Sequence, residues 1–244
     1  ALRSTGVVVQ REPCGRVVEA QARAERLWGA FFEGDEELKR SCLGKDEMSA
    51  GPTRGWSRQR TREHFHVVLE EVDATAYPSS EAREALLDLA SALKAEACAL
   101  LKALDPAAEE RRQDREARLG DPSVMDMFWY TNNNKNIAVE TGDEEEGNMD
   151  AHNDPGYLTV KIASSVPGLR VCLPGEEPRW VDVDCGSDKP AGLGADEAVG
   201  AGLDGLGEPG SLVLFAGETL LESGVAPVLH DVGRAARPRL SLVF

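Results

Sequence analysis

The chain has 244 residues, 41% of them hydrophobic and 29% charged. That is enough to bury a sizeable core as one large domain or two small ones, and too apolar for a chain disordered throughout. A net charge of −16, from 43 acidic against 27 basic residues, repels phosphates and argues against nucleic acid or an anionic membrane as partner; no apolar run is long enough to span a membrane.

The first half reads as helical. Residues 17–40 are rich in Ala, Glu and Arg, with Leu27, Phe31 and Phe32 as apolar anchors. Ser79 and Ser80 follow Pro78 as a helix start. Leu86, Leu89, Leu93, Ala97, Leu100 and Leu104 then recur at helical spacing, the strongest helix signal in the chain. Residues 106–118 are polar and read as a surface helix. From Ser123 the period changes to two. Met125, Met127 and Trp129 alternate with Asp126 and Phe128, and the pattern recurs at Leu158–Ile162 and Leu169–Leu173. Trp180–Val183, Leu212–Phe215, Val225–Leu229 and Leu240–Phe244 read as further short strands, and Trp129 and Trp180 as core aromatics. Two segments break the rhythm. The acidic stretch 140–150 reads as a solvated loop, with a second cation at 143–146 as the minor reading. The Gly-, Ala- and Asp-rich 186–210 reads as a flexible insertion. Helices followed by strands, without alternation, predict an α+β, mainly β fold. Its core is a barrel or jelly roll with flanking N-terminal helices. We expect one domain over 1–244: a mostly helical part over 1–120 and a core over 121–244.

The five cysteines are widely spaced and form no CxxC pair, which fits a reducing, cytoplasmic setting better than a disulfide framework. The chain starts Ala1-Leu-Arg3 without a charged-then-apolar leader, leaving a removed targeting segment open.

Of the four histidines, His152 stands in a His-x-Asp with Asp154. In so acidic a chain such a pair arises by chance about 0.7 times, so its context carries the weight. Both residues sit at the mouth of a predicted strand, where alternate side chains share a face and can grip one metal. His230, at the end of Val225–Leu229, is the other histidine of the strand-rich half. Two His and one carboxylate suit a non-haem Fe(II) oxygenase, although a zinc hydrolase can use a similar set. Arg239-Leu-Ser241, nine residues after His230, places a guanidinium and a hydroxyl on one side of an otherwise apolar strand, a clamp for a carboxylate.

Several runs together resemble the isopenicillin N synthase-like branch of the 2-oxoglutarate/Fe(II)-dependent dioxygenases. They are His152-Asn-Asp-Pro-Gly-Tyr-Leu-Thr159, Gly168-Leu-Arg-Val171, Trp180-Val-Asp-Val183, Pro209-Gly-Ser-Leu-Val213, Gly217-Glu-Thr-Leu220, His230 and Arg239-Leu-Ser241. Gly6-Val-Val-Val9, Phe31-Phe32, Gly55-Trp56 and Arg62-Glu-His-Phe-His-Val67 extend the resemblance over nearly the whole chain. It implies a double-stranded β-helix core, with Fe(II) on His152, Asp154 and His230. Arg239 and Ser241 are then implied to hold the distal carboxylate of 2-oxoglutarate, with Tyr130 also touching this cosubstrate. Phe128-Trp-Tyr-Thr131 departs from the family's Asn-x-Tyr-Pro, and the 78 residues between His152 and His230 exceed its usual spacing. The chain given also stops right after the Arg-x-Ser strand, where the family often has a helix over the substrate.

The implied reaction uses O2 and 2-oxoglutarate to oxidise a C–H bond of a small molecule, by default a hydroxylation, releasing succinate and CO2. One alternative is a relative that uses Fe(II) and O2 without 2-oxoglutarate. The other is a catalytically silent jelly-roll binding module. Arg54, Arg58, Arg60 and Arg62 with His64 and His66 form a local basic patch. The plain reading is a solvated face; the sharper one makes Arg58, Arg62 and His64 a wall attracting an anionic substrate. Oligomeric state has no signature in the sequence.

Overall fold

The structure is a computed structural model describing residues 2–44, 54–59, 61–131, 147–175, 179–184, 210–234 and 237–244. In chain order the helices are α1 (Leu2–Thr5), α2 (Gly15–Glu33), α3 (Glu36–Ser41), α4 (Ser80–Leu104) and α5 (Pro106–Leu119). The strands are β1 (Val7–Gln10), β2 (Gly55–Arg58), β3 (Arg62–Val68), β4 (Val124–Tyr130), β5 (Met149–His152), β6 (Leu158–Ile162), β7 (Leu169–Leu173), β8 (Arg179–Asp182), β9 (Leu212–Ala216), β10 (His230–Val232) and β11 (Arg239–Val243). Helices occupy more of the described chain than strands do, so the mainly β expectation is corrected to a mixed helix and antiparallel-sheet structure. The long α2 and α4 account for the difference. No helix among the described residues is long and apolar enough to cross a membrane.

The chain divides into two compact units, Ala1–Pro13 with Tyr130–Arg239, and Cys14–Trp129 with Leu240–Phe244. In the second unit, Ser79 starts α4 by accepting the Ala82 N–H at 3.0 Å. The leucine stripe then buries Leu86, Leu89 and Leu93 completely and Ala97 largely, but near its end Leu101 is the buried leucine, while the expected Leu100 and Leu104 are half-buried. α4 packs on α2, whose Trp28 and Phe31 are buried around Phe65 of β3. The helix expected over 17–40 is broken at Gly34, which is extended, and restarts at Asp35, whose carboxylate accepts the N–H groups of Glu37 and Leu38. The helix expected at the surface over 106–118 is real, but its first turn is buried at Ala108 and Glu109. Arg112 permits this by closing two hydrogen bonds on the Glu109 carboxylate, at 2.8 and 2.9 Å. The strand order within this unit is β11-β4-β3-β2.

The first unit holds two antiparallel arrays. One is β1-β9-β6, in which β9 is buried along its whole length. The other is β5-β10-β7-β8. The strand expected over Val225–Leu229 begins only at His230. Pro227 has no N–H to offer a ladder, and the Val228 N–H is taken by the Ala216 carbonyl at 3.0 Å. Trp180, expected in the core, is 38% exposed on the edge strand β8, with the Arg170 guanidinium 5.4 Å above its ring.

Candidate metal centre

Strand pairing brings distant residues together. β10 lies between β5 and β7, and its register sets His230 directly across from His152. The two imidazole centroids are 4.3 Å apart, and the buried His230 ring packs on Phe215 of β9 at 4.6 Å. Asp154 follows β5 in a turn held from outside. The Glu218 N–H donates to the Asp154 carbonyl at 2.8 Å, the Gly217 N–H to the Tyr157 carbonyl at 3.0 Å, and the Thr219 hydroxyl to the Pro155 carbonyl at 2.8 Å. A Cβ at residue 217 would stand 2.2 Å from the Gly156 carbonyl oxygen, so this close approach requires glycine.

The three side chains are aimed by their own partners. Nδ1 of His152 lies 2.7 Å from the Asp150 carbonyl and Nδ1 of His230 lies 3.0 Å from the Val228 carbonyl. A carbonyl only accepts, so each Nδ1 carries the proton and each Nε2 presents a lone pair. These Nε2 atoms are 3.6 and 3.7 Å from one oxygen, Oδ1 of Asp154. The other oxygen, Oδ2, accepts a hydrogen bond from the buried Thr159 hydroxyl. Burial holds the His230 imidazole below its ordinary pKa, which favours the neutral, ligating form. Two imidazole nitrogens and one carboxylate oxygen thus converge, with their second atoms tied back to the protein. This donor set fits a divalent first-row metal.

Arg239 of β11 is 1% exposed and its Nη2 donates to Oδ2 of Asp184 at 2.5 Å. Lys161 of β6, buried beside it, donates to Oδ1 of the same carboxylate. The N–H groups of Ser164 and Leu169 complete four donors on Asp184, at 3.0 and 2.8 Å. Burial alone would raise the Asp184 carboxyl, but Lys161 and Arg239 hold it below the usual range. Burial pushes Lys161 down to about 8. Asp182, whose carboxylate accepts the Asp184 N–H at 2.9 Å, is a second anion beside these two cations. Nε and Nη1 of Arg239 are buried without a hydrogen-bond partner, a fit to a further anion. The Tyr130 ring lies 5.1 Å from the Arg239 guanidinium, and a Cβ on Gly168 would come within 3.4 Å of it. Ser241, two residues along β11, is also buried.

The basic patch is a partly exposed face whose cations are ion-paired, with Arg58 47% exposed. Arg58 is forked on Glu36 at 3.1 and 2.7 Å and reaches Glu63 at 3.0 Å. Arg54 pairs with Glu71 at 2.5 Å, and the Arg62 guanidinium lies 5.3 Å from the Phe128 ring. His64 and His66 are buried and meet Asp126. Carboxylates supplied by neighbouring elements neutralise the patch. Arg60, the acidic run 143–146 and the 186–210 segment up to Gly210 lie outside the described residues. Sequence reasoning gave no role to Lys161, Asp184 or Asp126, and placed His66 only in the basic patch and Thr159 only in the run that follows His152. Only the strand alternation around Lys161 and Asp126 carried a signal, in a polar residue set on a buried strand.

A scan against family models and a search of curated proteins each found no match to the sequence. Solved structures do match. A Neurospora crassa protein in complex with alpha-KG and 5-formyluracil aligns at a TM-score of 0.66 and 14% identity, covering 99% of this chain and 74% of that one. JOX2 in complex with 2OG, Fe and JA aligns at 0.67 and 16%, covering 100% and 68%. AtDAO1, the dioxygenase for auxin oxidation 1 from Arabidopsis thaliana, bound to 2-oxoglutarate, aligns at 0.64 and 15%, covering 99% and 82%. The fold is that of the 2-oxoglutarate/iron oxygenases.

Proposed function

We propose that the protein is an Fe(II)- and 2-oxoglutarate-dependent oxygenase that oxidises, by default hydroxylates, a C–H bond of a small molecule. The two antiparallel arrays of the first unit are taken as the walls of a jelly roll, with Phe215 of one against His230 of the other. The observation that carries the reading is the convergence of His152 Nε2 and His230 Nε2 on Asp154 Oδ1, each ring locked by its Nδ1 hydrogen bond. His152, Asp154 and His230 would hold Fe(II) on one side and leave its other positions to ligands. Fe(II) held there would activate O2, the oxidant, with two electrons coming from 2-oxoglutarate as it is converted to succinate and CO2 and two from the substrate C–H bond.

The chain's own residues bind and orient. Arg239, with two unpartnered buried nitrogens, and Ser241 would take the distal carboxylate of the cosubstrate. Tyr130 backs the guanidinium plane from one side. Asp184 fixes the third guanidinium nitrogen, and Lys161 shares that carboxylate with it. Water exclusion falls to the apolar residues of β9 and β10, which keep His230 dry. Arg58, committed to Glu36 and Glu63, offers no ready anion grip, so an anionic substrate forms no part of the reading.

The test is an anaerobic titration with Fe(II) and then 2-oxoglutarate. We expect a weak visible charge-transfer band that needs both components and weakens in Arg239→Ala. Fe(II) binding without a band would favour an oxidase that dispenses with 2-oxoglutarate. The Asp184 carboxylate, already on Arg239, is the observation that keeps that second reading in view. Succinate release in proportion to product then separates the two. Absence of Fe(II) binding would refute both and leave a binding module.

A further inference from the structure

The second unit brings together another ligand set. β3 runs through its core with Phe65 turned toward Trp28 and Phe31, so strand alternation places His64 and His66 together on the opposite face. On the neighbouring strand β4, Asp126 meets both. His64 Nε2 and His66 Nδ1 each lie 2.7 Å from the same oxygen, Oδ1 of Asp126. Each histidine is only 6% exposed. The Phe128 ring, two residues along β4, stacks on His64 at 4.4 Å and 14° and fixes the imidazole plane. Orientation is therefore set before any ligand arrives.

We propose that His64, His66 and Asp126 form a second divalent-cation site, of the zinc-binding kind, separate from His152, Asp154 and His230. The donors are two imidazole nitrogens and one carboxylate oxygen, a common zinc set that leaves a fourth position for water. The Asp126 carboxylate, 23% exposed, gives the cluster a negative charge that a cation compensates. Tetrahedral ligands about 2.0 Å from a zinc ion stand about 3.3 Å apart, so each imidazole nitrogen need draw back from Asp126 Oδ1 by only about 0.6 Å. Small rotations about the His64 and His66 side-chain bonds supply that. Among the described residues no cysteine belongs to the cluster, so its donors are of the N/O type.

The experiment uses the full chain with the other triad removed, His152→Ala plus Asp154→Ala, titrated with Co(II) as a visible probe and then with Zn(II). We expect one equivalent of Co(II) by metal analysis, with d–d absorption and no thiolate charge-transfer band. Zn(II) should displace it and raise Tm. Adding Asp126→Asn should abolish both signals. Asn keeps the volume and an acceptor oxygen, so the imidazole contacts and the fold survive, as circular dichroism would report. Should the double variant fail to fold, the unaltered chain serves, with two equivalents expected to fall to one on Asp126→Asn. No bound equivalent in the folded double variant would overturn the proposal and leave a hydrogen-bonded hub. So would an equivalent that persists with Asp126→Asn and with His66→Ala. Neither outcome bears on the His152 centre, which is absent from that variant.

Discussion

Thr159→Val tests the metal centre from outside its ligand set. The Thr159 hydroxyl holds Oδ2 of Asp154 and leaves Oδ1 to face the two Nε2 atoms. Valine fills the same space and removes the hydrogen bond. A hydrogen bond to a charged group is worth about 1.5–3 kcal/mol. The Asp154 side chain is 25% exposed, so water recovers part of that, leaving about 1–2 kcal/mol. Divalent-metal affinity should therefore fall about 5- to 30-fold, overlapping the roughly 10- to 100-fold loss seen when an outer partner of a ligand is removed. Anaerobic competition for Fe(II) against a chelator, or Mn(II) titration, measures it, with a thermal melt confirming the fold. A folded variant whose affinity changes less than about twofold would refute the idea that Thr159 sets the orientation of Asp154.

Other outcomes follow from the same geometry. Arg239→Met should abolish 2-oxoglutarate binding and lower stability by about 2–4 kcal/mol in urea melts, because Asp184 keeps Lys161 but loses its second cation. Lys161 titrates near pH 8 in the fold rather than at 10.5. Above about 8 Lys161 loses its positive charge beside Arg239, and the 2-oxoglutarate Kd should rise. Over the same window the unfolded chain holds the extra proton, so Lys161's contribution to stability rises with pH and is absent below it. Lys161→Met should flatten both trends; a wild-type Kd unchanged across the window would refute the charge argument. Gly217→Ala forces a Cβ to 2.2 Å from the Gly156 carbonyl. It should weaken metal binding at least as much as Thr159→Val; unchanged affinity would show that the turn carrying Asp154 is not held from residue 217.

What the sequence showed depended on whether a residue's partner was local. The α4 stripe was legible because helical spacing and the Ser79 cap both lie within one segment. The metal set was legible because its residue types are rare here, with only four histidines in the chain. Their packing was not: the tie of His230 to the Val228 carbonyl depends on a stretch that looked like strand until Pro227 and Ala216 settled its hydrogen bonds. Asp184 is one acid among 43, and nothing near it in sequence marks it as the anchor of Lys161 and Arg239. Arg58 was legible as a charge, but Glu36 and Glu63 reach it only once α3 and the β2–β3 hairpin are folded.

The register that sets His152 opposite His230 joins two points 78 residues apart in sequence. A cation held by both acts as a reversible cross-link. Closing a loop of that length costs the unfolded chain about 4 kcal/mol of conformational entropy. Metal supply would thereby become a condition of the protein's lifetime as well as of the proposed chemistry. In a cell short of iron the unlinked chain opens more often to proteases, so abundance would track the cofactor without any dedicated sensor.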